Sequence, residues 1–512
     1  MLKSPAALGL FMALLFIVPL PAAKAQDKET PPQQAQAAEP RRGDEGLRLP
    51  PRKTVVQSLE IAGKKQDYKV TAGSIVLRND SGDPQAEVGF IAYTLEGQPA
   101  SKRPITFAFN GGPGAASAYL NFGAIGPKRI SFGNNGEGPS SPAILNDNPE
   151  TWLDFTDLVF IDPVGTGYSR FVNDNRELKR SVWSVDGDIN ALAAVVRRYL
   201  VEFDRMSSPK YLVGESYGGF RVPKLAHRLQ TNEGVGVSGI IMISPVLDFI
   251  SQSDSDGSPL AFAARLPSLA ALALEKKGEP INRDSLANVE EYARTNYVVD
   301  LLRGPRDKAA VGRVVDQITA FTGLDRAFVE RQAGRLDLQG LARELGRDRQ
   351  SVASLYDGTV LGADPVPFVL SFTPKDPILH ASVAPLTSVA VDFLNRTVGW
   401  RVDAPYQLLS QDVFSNWNWG GNGNEPHEAV SNLREALALD PNLNALVVHG
   451  ATDLVTPYFD SQLALDRLTA LGGDADKGRV GLEVLRGGHM FYVHNDSRAA
   501  LKEAARKLYP LD

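Results

Sequence analysis

The chain is punctuated by short apolar runs, most of them followed at once by Gly, Pro, Ser or Asp, and that pattern restricts the fold more than anything else in it. The runs are Ile105–Phe109, Leu158–Ile161, Tyr211–Val213, Gly239–Ile243, Ala445–Val448 and Val480–Leu485. Continuous apolar runs of this length read as strands buried on both faces, and helix-length amphipathic segments such as Asp186–Phe203 lie between them. Strands alternating with helices predict an α/β fold, a mostly parallel sheet with helices on both faces. In such a sheet, ligands and reactive groups collect at the carboxyl ends of the strands. Upstream, Val55 to Tyr93 shows strand-like alternation broken by Gly and Asn-Asp turns.

Residues 250 to 400 interrupt the alternation. They are rich in Ala, Arg and Leu and helical in pattern over Leu260–Glu275, Arg283–Leu302, Ala309–Phe321 and Asp325–Leu345, ending in a Pro-dotted segment from Asp364 to Pro385. The expectation is a helical cap inserted into a catalytic domain spanning 54–512. A formal charge of −6, from 54 basic and 60 acidic residues, argues against nucleic acid as a partner. The chain has no cysteine, which excludes disulfides, thiolate nucleophiles and zinc-thiolate sites.

Gly214-Glu215-Ser216-Tyr217-Gly218 carries the strongest chemical signal. It follows a strand-like run and precedes a helix-like segment through Gln230, the setting in which G-x-S-x-G makes a sharp turn that exposes a nucleophilic hydroxyl. A serine needs a histidine to take its proton and a carboxylate to orient that histidine. Of the six histidines, His227 falls along the helix after Ser216 and is expected to point away, while His380 and His427 fall in loop-like segments. His449 ends an apolar run and is expected to pack there, and His494 has no catalytic setting. His489, in Gly487-Gly488-His489-Met490 directly after Val480–Leu485, is the candidate base. Asp453 follows Ala445–Val448 within His449-Gly450-Ala451-Thr452-Asp453 and is the candidate acid, in the chain order serine, acid, histidine. Stabilising an oxyanion requires backbone N–H groups aimed at it. Tyr217 N–H is one candidate, and the loop Asn110-Gly111-Gly112-Pro113-Gly114 after Ile105–Phe109 supplies the other. A phosphate-binding turn is disfavoured, because no Lys-Ser/Thr follows these glycines.

Asn110–Gly114, Gly214–Gly219, Asp162–Ser169, Gly450–Asp453 and Gly488–Met490 together resemble the motif blocks of the serine carboxypeptidase family, from about residue 85 to the C-terminus. The resemblance implies an α/β-hydrolase fold with Ser216, Asp453 and His489 as its triad and the Gly112 and Tyr217 N–H groups as the oxyanion hole. It further implies that Asn110, Gly111 and Glu215 grip a substrate's terminal carboxylate and that Met490 lines the pocket of the leaving amino acid. Two departures stand out. Ala124 occupies the place of a second glutamate that shares a proton with the first, and Ala115 and Thr456 stand where eukaryotic members carry cysteines. The chain thus resembles a bacterial-type, cysteine-free branch. With Ala124 there, an optimum near neutral pH is expected, and Ala124→Glu should move it toward acid.

At the N-terminus, Lys3, the apolar stretch Ala6–Leu20 and Ala23-Lys24-Ala25 form the pattern of a secretory signal over 1–25, with Gln26 the first mature residue. Residues 26–53, rich in Gln, Ala and Pro, read as a flexible linker. The expectation is an exported hydrolase, periplasmic or extracellular, free of the membrane after processing. It acts on a peptide substrate through an acyl-enzyme and needs no cofactor or metal. An esterase or acyltransferase on the same scaffold is the alternative, and a non-catalytic binding protein the alternative of another class.

Overall fold

Each apolar run becomes a strand, buried on both faces except for the half-exposed edge strand Val480–Leu485, and the run boundaries hold to within one or two residues for most of them. The computed structural model describes residues 46–512 except 62, 134–141, 250–257, 370–372, 421–426, 469–477 and 511–512. The expected signal and most of the expected linker therefore lie outside the described residues. The strands of the main sheet are β1 (Lys53–Ile61), β2 (Lys64–Arg78), β3 (Pro84–Leu95), β4 (Ile105–Phe109), β5 (Asp157–Ile161), β6 (Lys210–Glu215), β7 (Gly239–Ile243), β8 (Asn444–Gly450) and β9 (Val480–Leu485). A tenth short strand, Arg170–Phe171, pairs with β3.

The sheet order is β1-β2-β3-β5-β4-β6-β7-β8-β9. The first three strands form an antiparallel meander, and β3 pairs antiparallel with β5. From β5 to β9 every pairing is parallel. Side chains alternate between two cores: Ala108, Val213, Ile241 and Val448 face one, while Phe107, Leu212, Met242 and Val447 face the other. The second core is closed by α1 (Val185–Glu202) and α2 (Tyr217–Arg228), through residues such as Leu192, Val196, Val222 and Leu225.

The order in which strands are added reverses at β4, whose successor β5 lies on one side and β6 on the other. The loops leaving β4 and β6 diverge there and open a crevice at the sheet's carboxyl edge.

Between β7 and β8 the chain leaves the sheet for α3 (Leu260–Lys277), α4 (Arg283–Tyr292), α5 (Lys308–Thr322), α6 (Arg326–Arg331), α7 (Leu338–Gly346) and α8 (Leu379–Asp392). The stretch Asp325–Leu345, read as one helix, is two: Ala333 at φ 48° and Gly334 at φ 77° break it. The Pro-dotted stretch also departs from expectation, because α8 begins within it and accommodates Pro385. Helices α3 to α7 share a core with Ala451, Leu454, Tyr458 and Phe459, the residues flanking Asp453. Residues 46–52 do not behave as a loose lead-in. Arg48 and Leu49 N–H donate to Glu87 at 2.9 and 3.0 Å, and Trp400 donates to the Pro50 carbonyl at 3.1 Å. Among the described residues no helix is long and apolar enough to cross a membrane.

Candidate active site

Ser216 directly follows β6 at φ 61°, ψ −123°, a backbone conformation that β-carbon-bearing residues rarely adopt, and α2 starts at the next residue. Gly218 is required by proximity, since a Cβ there would stand 2.4 Å from the Phe109 carbonyl oxygen. The register of the neighbours does the rest. Phe109 pairs with Gly214 and Ile243 with Glu215, so the loop after β4 lies against the turn that carries Ser216. Gly111 permits that approach, because a Cβ on it would fall 2.5 Å from the Tyr217 nitrogen.

From the far side of the sheet, the ends of β8 and β9 bring in the candidate acid and base. Asp453 is fully buried, and its Oδ2 lies 2.7 Å from His489 Nδ1. Val455 and Thr456 N–H donate to Asp453 Oδ1 at 2.8 and 3.0 Å, and the Thr456 hydroxyl lies 2.7 Å from Oδ2. With Nδ1–H donated to Asp453, Nε2 is left as the acceptor of the ring, and His489 lines the same cavity as Ser216. Burial works against charging the His489 ring, but the Asp453 charge and hydrogen bond, reinforced by Glu215 and Asp376, raise its pKa above the ordinary histidine value. The backbone of His489 is fixed as well: its N–H donates to the Tyr356 carbonyl at 2.5 Å, and its carbonyl accepts from the Ser244 hydroxyl at 2.8 Å. Tyr356 also sets its ring edge-on to the imidazole, with centroids 5.0 Å apart.

Ser216, Glu215, Asn110, Gly111, Gly112, His489 and Met490 line one cavity of about 330 Å³. The structure therefore gathers the sequence candidates, except that Asp453 reaches the cavity only through His489 and Tyr217 does not line it. Its ring packs away from the cavity, against Phe220, Trp417 and Trp419. Its N–H is the first of α2, one of the amide donors that a helix leaves without an internal partner.

Glu215 is 3% exposed. Its Oε1 accepts from the Tyr492 hydroxyl at 2.8 Å and its Oε2 from the Asn110 side-chain amide. Burial pushes its pKa up to about 6, against the lowering influence of His489, Tyr492 and Asn110. Ala124 is fully buried in the apolar core, in the helical turn Leu120–Ile125, and it is Tyr492 that reaches Glu215.

Sequence reasoning missed several supporting residues. Tyr492, three positions after His489, carried one available signal: a hydroxyl inside an otherwise apolar segment. Arg221, one turn into α2, is fully buried. Its Nε donates to Asp188 at 2.6 Å and its Nη1 to the Asn110 carbonyl at 2.6 Å, which ties the glycine loop to the helix behind Ser216. A basic residue on a helix gives no hint of that role. Of the other histidines, His227 faces Glu435 at 3.1 Å. His449 is buried and bonds Ser461, with its pKa driven down to about 3 by burial. His380, expected in a loop, is the second residue of α8 and lines the cavity.

The serine carboxypeptidase family model matches residues 81–285, the stretch that contains the glycine loop, Asp162–Ser169 and the Ser216 turn. A "probable serine carboxypeptidase" of Arthroderma benhamiae is 30% identical over 158 residues, covering 29% of this chain and 27% of the relative. The pheromone-processing carboxypeptidase kex1 of Penicillium rubens is 28% identical over 192 residues, covering 36% and 28%. The chain thus spans under a third of the length of these curated relatives. A solved structure, Kex1(Delta)p, a prohormone-processing carboxypeptidase from Saccharomyces cerevisiae, superposes with a TM-score of 0.51 at 16% identity over 86% of this chain and 91% of that one, a shared fold. The family model and the curated relatives liken this part of the chain to serine carboxypeptidases, and the solved structure shares its fold.

Proposed function

We propose that this protein is an exported serine-type carboxypeptidase that releases C-terminal amino acids from peptides through an acyl-enzyme. The observation that carries the reading is the shared cavity in which Ser216, on its strained turn, meets a His489 already oriented by Asp453. His489 Nε2 takes the Ser216 proton as the hydroxyl attacks the scissile carbonyl. Gly112 and Tyr217 N–H groups receive the oxyanion, the second helped by the positive end of α2. The imidazolium returns its proton to the leaving amine, and water then repeats the sequence to free Ser216. Asn110, Gly111 and Glu215 hold the terminal carboxylate, and Met490 walls the leaving residue. The helical stretch within 250–400 is the cap of a catalytic domain over 54–512, preceded by a linker and by an export signal over 1–25 that delivers the enzyme to the periplasm or beyond.

One observation favours esterase activity on the same groups. Both Glu215 oxygens already accept hydrogen bonds, and at neutral pH this carboxyl is mostly ionised, a poor partner for another carboxylate. Matched peptides with free, amidated and esterified C-termini decide between the two. The carboxypeptidase reading expects release of the last residue from the free acid, with amide and ester no better. An esterase takes the ester and leaves the free acid intact.

A further inference from the structure

The cavity around Ser216 is walled in part by apolar groups, Pro113, Ala115, Leu379, Leu409, Phe414 and Met490. Its ionisable side chains are few and most are engaged. Glu215 is buried with both oxygens occupied, and His489 is committed to Asp453. Two remain, Lys375 and His380, both exposed, the first in the segment that leads into α8 and the second in its first turn.

Neither is neutralised by its surroundings. Among the described residues, no carboxylate pairs with Lys375. Its neighbour Asp376 is turned to another task, accepting from the Ser354 hydroxyl and from the N–H groups of Leu355, Ile378 and Leu379 at 2.8–3.0 Å. His380 Nδ1 accepts the Asp376 N–H at 3.1 Å, so the neutral ring keeps its proton on Nε2 and its other edge is a donor. The accessible charge of this cavity is therefore positive, in a chain whose net charge is −6.

The position of α8 specifies which part of a substrate would meet these groups. Tyr119 lines the cavity beside Glu215 and also neighbours Ser382, one turn into α8. The start of α8 thus stands at the Glu215 end of the cleft. On the carboxypeptidase reading, on which this inference rests, that end receives the leaving amino acid.

We infer that Lys375 and His380 form a subsite for an acidic side chain on the leaving residue, so that the preferred substrates are peptides ending in Glu or Asp. Gln and Glu have the same shape and differ in charge, which makes them the discriminating pair. In N-acylated dipeptides with free C-termini, kcat/KM for a terminal Glu should exceed that for a terminal Gln by roughly three- to tenfold, the scale of a charge-assisted contact at a partly solvated site. The ratio should shrink as sodium chloride is raised, fall toward one in Lys375→Met, which keeps the aliphatic stem, and be restored in Lys375→Arg. A Glu-to-Gln ratio of one in the unmodified protein overturns the subsite, as does a ratio that survives Lys375→Met. So does an effect of that substitution confined to peptides with Glu one position earlier. If the unmodified protein trims neither peptide, the carboxypeptidase reading fails and takes the subsite with it. If it trims both equally, the subsite alone falls.

Discussion

His489 and Glu215 are both held away from the state they would adopt in water, and their titrations have opposite consequences for catalysis. His489 acts as a base only when neutral, and its pKa is raised. Activity should therefore be lost as pH falls through a value above about 6.5, the unperturbed imidazole pKa. On an ester substrate, which makes no demand on a carboxylate grip, the ascending limb of kcat/KM should have its midpoint above that value. A midpoint near pH 5 would contradict the account. Glu215 works the other way, because only its protonated form can donate to a substrate carboxylate, and it holds a proton below about 6. Removing the Tyr492 hydroxyl takes a donor from the ionised form and raises the Glu215 pKa further. Tyr492→Phe should then extend preference for free acid over ester to higher pH, measured as the ratio of the two kcat/KM values across pH 5 to 8. An unchanged ratio would remove Tyr492 from the site. The three residues proposed as a triad stood out in the chain because serine, histidine and aspartate each sit beside glycines at a strand end. Tyr492 and Thr456 were not legible in these roles, since a hydroxyl near an apolar run is more often a packing residue.

At the scale of elements, α1, α2 and the loop after β4 are joined by one buried ion pair. Arg221 and Asp188 are 1% and 4% exposed, and Arg221 also holds the Asn110 carbonyl. Removing one partner of such a pair leaves an unpaired buried charge, which costs about 3–5 kcal/mol. Arg221→Met should lower unfolding stability by that amount in denaturant titration, and Arg221→Met with Asp188→Leu should recover part of it. If the double variant is no more stable than the single one, the pair is not what binds these elements. The parallel strands were readable because burial on both faces leaves no polar alternation to confuse the period. The helices between β7 and β8 were readable as helices but not in their breaks, since left-handed Ala333 and Pro385 within α8 are set by tertiary packing that local propensity does not encode.

Over the whole molecule, four loops from β4, β6, β8 and β9 converge on one crevice, and the segment between β7 and β8 supports it from outside the sheet. Tyr356 covers His489, and α3 to α7 share their core with the residues flanking Asp453. This support was invisible in the chain because it is made by backbone carbonyls and ordinary apolar side chains, which carry no chemical signature. On the proposed mechanism, this convergence creates a nucleophile at Ser216. The most direct measurement is the rate and position of covalent labelling by a fluorophosphonate, with the modified residue identified by mass spectrometry. The account predicts one adduct per chain, on Ser216, absent in Ser216→Ala and formed about 10³-fold or more slowly in His489→Ala. Labelling at another residue, or labelling of Ser216 at an undiminished rate without His489, would contradict it.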